Sequence, residues 1–126
     1  MFNLLLVALG GAIGATSRHL ASSAVTKAMG FGWPYGTLTV NIAGSVLMGV
    51  LAGWLAFRVD GGENWRLFLG TGVLGGFTTF SAFSLETALM LERREFVPAA
   101  LYSLGSVALC VGGLFVGLWL SRRVFG

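Results

Sequence analysis

The chain alternates long apolar runs with short polar stretches. The apolar runs cover about residues 2–25, 35–57, 65–91 and 97–120, and charged residues mark most of their ends. Each run is long enough to cross a bilayer, since a membrane-spanning helix needs about 20 predominantly apolar residues. Pro34 and Pro98 lie where a proline suits the first turn of a helix. The pattern predicts an all-α integral membrane protein, with four transmembrane helices in a single domain.

Composition excludes several classes of protein. Of the 126 residues, 56% are hydrophobic and 10% are charged, and the mean hydropathy is +0.84, whereas soluble domains carry roughly 25% charged residues. The net charge of +3 is scattered and forms no basic stripe, so we expect no nucleic-acid partner. The lone Cys110 excludes a disulfide framework. The sequence offers no nucleophile–base pair or metal cluster, and we do not expect an enzyme.

The distribution of Lys and Arg does not select an orientation in the membrane. Four basic residues fall on each side of the predicted spans: Arg58, Arg66, Arg122 and Arg123 on one, and Arg18, Lys27, Arg93 and Arg94 on the other. Because this bias normally sets topology, a tie favours neither direction. We hypothesise that the chain inserts both ways and forms an antiparallel homodimer. The alternative is that lipid or the N-terminal amine selects one orientation.

Glycine is abundant and regularly spaced. Among the 20 glycines, pairs four residues apart occur in every predicted span: Gly10 with Gly14, Gly49 with Gly53, Gly72 with Gly76, and Gly113 with Gly117. Because lipid offers no hydrophobic drive between helices, small residues allow the close backbone approach that holds them together. The pattern predicts a tightly packed bundle and carries no information about a substrate.

The third span is anomalous in length and composition. As a continuous helix, residues 65–91 would reach roughly 40 Å across a hydrocarbon core of about 30 Å. Its middle combines Gly with consecutive β-branched and hydroxyl residues, which are poor helix formers. We predict a break at residues 75–79, at mid-membrane, where free backbone groups must face protein, water or an ion. The alternative is a tilted or kinked glycine-rich helix.

Neutral polar side chains and two aromatic rings lie near this segment. Phe80 and Phe83 share one helix face, and a ring edge interacts favourably with an anion. Two further stripes follow the helical repeat: Thr37, Asn41 and Ser45 on the second span, and Tyr102, Ser106 and Cys110 on the fourth. Such donors suit an anion, whereas a cation path favours carboxylates. Alternatively, the rings pack in the core and the hydroxyls join helices.

Two charged residues fall inside predicted spans, where each costs about 2.5–3.5 kcal/mol at the bilayer centre. Arg18 either extends to the interface or lies in an aqueous vestibule that concentrates anions. Glu86 is a proton-coupled carboxylate, a lining residue or a helix-end group. His19 is interpreted as an interfacial polar residue.

Three segments carry a resemblance to a known family. They are residues 10–18 (GGAIGATSR), 36–44 (GTLTVNIAG) and 75–84 (GGFTTFSAFS), the last followed by Glu86. Over essentially its whole length, the chain resembles the small bacterial fluoride channels of the Fluc/CrcB family. The resemblance implies an antiparallel, dual-topology homodimer in the cell inner membrane, with two constitutively open pathways that release cytoplasmic fluoride passively. It also implies a structural sodium ion on the two-fold axis.

The resemblance also assigns roles by position. The fluoride pathway would comprise ring edges, one amide and a set of polar side chains: Phe80, Phe83, Asn41, Thr37, Tyr102, Ser106, Glu86, Ser81 and Ser84. The backbone carbonyls of Gly75 and Thr78 would hold the sodium, and Arg18 would lie at a vestibule. This sequence departs from the family pattern at Cys110, where a small hydroxyl is common, and at His19, where an aromatic is common. A thiol is a weak donor, which puts Cys110 as an ion contact in doubt.

Two other functions fit a small four-span chain. A proton-coupled exporter of cationic drugs would use a similar architecture, but it usually needs an acidic residue deep in the first span, which has none here. A structural membrane subunit would not need the polar stripes. We therefore expect a passive fluoride channel, with these two functions as the alternatives.

Overall fold

A computed structural model describes residues 1–57 and 62–126. Its long helices are α1 (Phe2–Met29), α2 (Tyr35–Ala56) and α6 (Phe96–Phe125). Between α2 and α6 come α3 (Gly62–Trp65), a π-helix π1 (Arg66–Leu74), α4 (Gly75–Phe77) and α5 (Phe80–Glu92). We call Gly62–Phe77 the first half of the third span and α5 its second half. Arg58, one of the basic residues in the orientation count, lies outside the described residues.

Four helical segments among the described residues are long and apolar enough to cross a membrane: Phe2–Met29, Tyr35–Ala56, Gly62–Glu92 and Phe96–Phe125. The chain is therefore an all-helical, multi-pass membrane protein. The helices continue past the predicted spans, to Met29 in α1 and to Phe125 in α6. The ends of a helix need not coincide with the edges of the bilayer, because a long helix can tilt or emerge into the headgroups.

The third span is interrupted at two residues. Thr78 and Thr79 have extended backbones, with φ/ψ of −86°/160° and −150°/122°. The predicted interval of residues 75–79 is too wide, since Gly75–Phe77 form a helical turn. This turn persists because the Thr78 N–H still donates to the Leu74 carbonyl at 3.0 Å. After α4, the Thr79 N–H is the first to leave helical pairing, and the helix resumes at Phe80.

The π-helix over Arg66–Leu74 was not predicted from the sequence. At its end the Gly75 N–H donates to the Gly70 carbonyl, five residues back. Helices of this kind are rare, and usually appear as single turns near functional sites. Here the stretch lies immediately before the interruption, so regular α-helical geometry fails on both sides of α4.

Glycine brings the helices into backbone contact, as the spacing predicts. A Cβ on Gly14 would clash with the Val73 carbonyl of π1, and a Cβ on Gly49 would clash with the Leu114 carbonyl of α6. A Cβ on Gly76 would lie 2.7 Å from the Gly11 carbonyl oxygen. Thus α1 packs against π1 and α4, while α2 packs along α6 in the most extensive contact of the bundle.

The second half of the third span packs differently. In α5 only Met90 is buried, and it forms a small core with Ala99 and Tyr102 of α6. The α5 helix ends in a Schellman motif, in which the Glu95 N–H donates to the Met90 carbonyl at 2.9 Å and the Arg94 N–H to the Leu91 carbonyl at 3.0 Å. Arg94 adopts φ +58° there. Side-chain contacts, rather than close backbone packing, hold α5 to the bundle.

Candidate functional site

The side chain of Asn41 bridges α2 to the interruption in the third span. Its Nδ2 donates to the Thr79 carbonyl at 3.0 Å, and its Oδ1 accepts from the Thr79 N–H at 2.8 Å. Because the Thr79 N–H can only donate, the orientation of the amide is fixed. Asn41 therefore satisfies both backbone groups of Thr79, which lipid could not do. One N–H of the amide remains available to another acceptor.

These hydrogen bonds release two backbone carbonyls from helical pairing. In a regular helix, the Thr79 N–H would bond to the Gly75 carbonyl, and the Ala82 N–H to the Thr78 carbonyl. Instead the Thr79 N–H donates to Asn41, and the Ala82 N–H donates to the Thr79 hydroxyl at 3.2 Å. Thr79 thus caps α5, and its cap leaves Gly75 and Thr78 with carbonyl oxygens that could accept from another group.

A cavity of about 390 Å³ opens beside the interruption. Among the residues that the structure describes, its lining contains no charged side chain: Asn41, Gly44, Ser45, Met48, Thr78, Thr79, Phe80, Phe83, Ser106, Val107, Cys110, Val111 and Leu114. Ser106 is 7% exposed, and its hydroxyl is buried without a hydrogen-bond partner among the described residues. A buried polar group without a partner costs free energy comparable to a lost hydrogen bond. The wall of the cavity therefore contains a buried, unpaired hydroxyl beside both polar and apolar side chains.

Aromatic rings connect this cavity to a second pair of polar residues. The ring centroids of Phe80 and Phe83 are 5.5 Å apart, and those of Phe83 and Tyr102 are 5.2 Å apart. The Tyr102 hydroxyl donates to Glu86 Oε1 at 3.2 Å. Phe80 is 79% exposed on the surface of the single chain. The structure thus places both predicted phenylalanines together, one beside the Tyr102–Glu86 pair and one at the bundle's surface.

A second cavity, of about 470 Å³, lies on the other side of Thr79. It contains one formal cation and several hydroxyls among its lining residues: Arg18, His19, Ser22, Ser23, Thr37, Thr79, Ser81, Ala82 and Leu85. Of the predicted site residues, Arg18, Thr37 and Ser81 lie here. Thr79 contributes to both cavities, so the extended segment forms the wall that they share.

The predicted set does not form one continuous line in the single chain. Ser84 is exposed and lines neither of these cavities. The Ser81 hydroxyl lies 3.3 Å from the Thr79 hydroxyl and is also exposed. Gly75 is exposed and Thr78 is half-buried. These groups lie on the side of the third span that the single chain leaves uncovered.

Several lining residues were not singled out from the sequence. The sequence predicts Thr79 only as part of the break, although its backbone makes both hydrogen bonds with Asn41. Ser22 lies one helical turn after Arg18, and this spacing could have pointed to it. His19, interpreted as an interfacial polar residue, lines the second cavity. The pairing of Asn41 with Thr79 has no local signal, because 38 positions separate them.

Comparison with known proteins identifies relatives that span the whole chain. The family described as "CrcB-like protein, Camphor Resistance (CrcB)" matches residues 5–118. The chain is 61% identical over 123 residues to a protein of Phenylobacterium zucineum, with 97% of each chain covered. It is 58% identical over 126 residues to one of Hyphomonas neptunium and 56% identical over 126 residues to one of Caulobacter vibrioides, with 99% of each chain covered in both cases. All three relatives are named fluoride-specific ion channel FluC.

The family suggested by the three sequence segments is therefore confirmed. The match extends through all four membrane-spanning segments and includes Asn41, the interruption at Thr78 and Thr79, and both cavities. The relatives are 56–61% identical to the chain over nearly its full length. The chain belongs to the CrcB family.

Proposed function

We propose that this protein is a fluoride-selective channel through which cytoplasmic fluoride leaves the cell down its electrochemical gradient. The observation that carries the proposal is the buried hydroxyl of Ser106, which has no hydrogen-bond partner within residues 1–57 and 62–126, in a cavity whose lining within those ranges carries no charge. Such a cavity offers a donor to an anion and no carboxylate to a cation. The names of the full-length relatives agree with this assignment. No chemical bond changes in this process, so the protein is not an enzyme.

The two cavities suggest the order of events along the pathway. The guanidinium of Arg18 would raise the local concentration of anions in the second cavity. In the first cavity, the free N–H of Asn41, the hydroxyl of Ser106 and the ring edges of Phe80 and Phe83 would replace part of the hydration shell. Thr37 and Ser81 supply further hydroxyls, and Ser84 would join the path at the uncovered surface.

Selectivity would arise from differential solvation. Fluoride is small and strongly hydrated, so a narrow path must return much of that hydration energy through amide, hydroxyl and ring-edge contacts. Chloride is larger and fits such contacts poorly. Each contact is weak enough for the ion to leave again, which conduction requires. Hydrogen fluoride enters cells from acidic surroundings and ionises in the cytoplasm, and a passive anion leak removes the trapped ion.

Tyr102 and Glu86 would form the far end of the path. The Tyr102 proton is directed at Glu86, so the hydroxyl is committed to the carboxylate in this structure. This pairing gives the carboxylate a hydrogen-bond donor and weakens its repulsion of an approaching anion. The hydrogen bond also occupies one oxygen of the Glu86 carboxylate, which does not favour the alternative of a proton-coupled drug exporter.

The proposed assembly is an antiparallel, dual-topology homodimer in the bacterial inner membrane. The even distribution of basic residues supports it, as does the exposure of Phe80 and Gly75, which a second chain would cover. The interruption would then lie near mid-membrane, where its backbone groups need protein partners. Reporter fusions at the C-terminus should report both sides of the membrane. A reporter signal from one side only would refute dual topology.

A sodium ion would fit at the carbonyls that the interruption releases. No group of three or more His, Cys, Asp or Glu side chains able to hold a metal occurs among residues 1–57 and 62–126. Oxygen donors from the backbone, Gly75 and Thr78, are suited to a hard cation. Bound there, sodium would supply a fixed positive charge, while Asn41 and the Thr79 cap keep the two carbonyls free.

Growth in fluoride tests the proposal in cells. A bacterium deleted for its own fluoride exporter should grow in otherwise inhibitory fluoride when it expresses this chain. The Asn41→Asp variant, at equal abundance in the membrane, should not restore growth, because it places a negative charge at the proposed anion contact. Failure of the wild-type chain to protect the cells would contradict the proposal.

A further inference from the structure

Trp33 extends the aromatic contacts beyond the pathway residues named above. It lies before α2, outside the helices, and its ring meets Tyr102 edge-on, with centroids 5.9 Å apart and an interplanar angle of 78°. The contacts from Phe80 through Phe83 and Tyr102 therefore end at Trp33. Trp33 also packs against the small core that contains Met90 and Ala99. An interfacial anchor would not require any of these contacts.

The backbone around Trp33 is constrained on both sides. Pro34 has φ −78° and ψ 60°, and the Tyr35 N–H donates to the Trp33 carbonyl at 2.8 Å. These values define an inverse γ-turn, and the ring of proline fixes its φ in advance. Gly30, at φ +91°, ends α1 and allows the chain to turn into this segment. The Trp33 side chain is thus presented to Tyr102 from a defined backbone.

The contact restricts the Tyr102 ring, which is 1% exposed. Phe83 packs against the same ring, and the Tyr102 hydroxyl reaches Glu86. If the Trp33 side chain were shortened, the ring would gain rotational freedom, and the hydroxyl could leave the carboxylate. Glu86 would then face the path without its donor and repel an anion more strongly.

We propose that Trp33 is a positioning residue for anion conduction: it holds the Tyr102 ring so that the hydroxyl stays on Glu86 and Phe83 stays against the cavity. Trp33 acts through Tyr102 and does not touch the ion. This inference rests on the proposed function, and it adds a part of the chain outside the four spans to the residues that determine flux.

Fluoride efflux from liposomes containing purified protein tests the proposal. Trp33→Ala should lower the efflux rate by roughly two- to tenfold, the range expected for the loss of one aromatic pair. Trp33→Phe should restore most of the rate, since it keeps a ring against Tyr102. Pro34→Gly should lower the efflux rate less than Trp33→Ala does, because it loosens the turn but keeps the Trp33 side chain. Trp119→Ala is the matched control, since Trp119 is exposed on α6 and contacts Arg123.

A double-mutant cycle separates positioning from a general structural effect. In a Tyr102→Phe background the hydroxyl is absent, so Trp33→Ala should cost less there than in the wild type. Equal losses in both backgrounds, or wild-type efflux from Trp33→Ala, would overturn the inference. Absence of fluoride efflux from the wild-type chain would instead refute the proposed function. Size-exclusion chromatography of each variant should show the wild-type elution volume. If Trp33→Ala lowers the efflux rate but also changes the elution volume, the loss is one of assembly and the inference is overturned.

Discussion

The two halves of the third span are held in the bundle by different means. The first half packs backbone to backbone against α1, at positions where Gly14 and Gly76 leave no room for a Cβ atom. The second half, α5, is held by side chains: Asn41 at its start, Tyr102 at Glu86, and Met90 in the small core. Close glycine packing resists change because neither backbone can move aside.

This difference separates the scaffold from the site. A membrane gives little hydrophobic drive between helices, so the glycine contacts must supply the stability of the fold. The side-chain contacts of α5 leave room for a cavity and keep its polar groups available. Substitutions in the first half should therefore act mainly on stability, and those around the second half mainly on flux.

Asn41→Asp should have the largest effect, since it changes the side chain that holds the start of the second half. It replaces the amide donor with a negative charge. Two like charges 4 Å apart at an effective dielectric constant of 20 repel by about 4 kcal/mol, which corresponds to a rate loss of roughly several hundredfold. Fluoride efflux from liposomes measures the loss. Asn41→Ser, which adds no charge, should lose less, and wild-type efflux from Asn41→Asp would remove Asn41 from the pathway.

Gly14→Ala should destabilise the first half. Its Cβ would clash with the Val73 carbonyl, and overpacking of this kind costs typically 1–3 kcal/mol. Circular dichroism, which follows helicity during detergent-induced unfolding, gives the change in the free energy of unfolding. Gly11→Ala is the control, since its Cβ would meet nothing within 4 Å in the described part of the chain. Equal stability of the two variants would contradict the packing account.

Phe80→Ile should reduce fluoride flux and leave the fold of the single chain intact, because the ring is largely exposed there. An isoleucine has no ring edge to offer an anion, and we expect a rate loss of roughly tenfold at most, which corresponds to about 1.4 kcal/mol. Phe115→Ile, at an exposed ring on α6, should leave efflux unchanged. If both variants conduct as the wild type does, Phe80 is not an ion contact.

Arg94→Gly should have the smallest effect, at the far end of the second half. A residue other than glycine at φ +58° carries the steric cost of a left-handed backbone. Glycine removes this cost but has more conformational freedom in the unfolded chain, so the free energy of unfolding should rise by only about 0.5 kcal/mol. The unfolding midpoint of the proposed dimer, once purified, should rise slightly while its rate of fluoride efflux stays constant. Arg94→Ala removes the same charge and keeps the Cβ, so it should show no gain.

The sequence predicts the features that depend on local composition. Apolar runs locate the four spans, and glycine spacing indicates the close contacts of α1 with π1 and of α2 with α6. The Gly-Thr-Phe-Ser composition of the third span predicts an interruption, and the extended residues Thr78 and Thr79 fall inside the predicted interval.

The remaining features depend on contacts between distant positions. The interruption is confined to Thr78 and Thr79 because Asn41 binds the backbone of Thr79, and no local propensity encodes that pairing. The π-helix before it and the contact of Trp33 with Tyr102 were missed for the same reason. Single-sequence periodicity describes neither feature.

The most direct test of the central claim is ion efflux from liposomes that contain the purified protein and are loaded with equal concentrations of fluoride and chloride. An ion-selective electrode for each anion would follow release after a potassium ionophore balances the charge. We predict rapid fluoride release from the wild-type chain, chloride release near that of protein-free liposomes, and slow fluoride release from Asn41→Asp. Equal release of the two anions, or no fluoride release from the wild-type chain, would contradict the account.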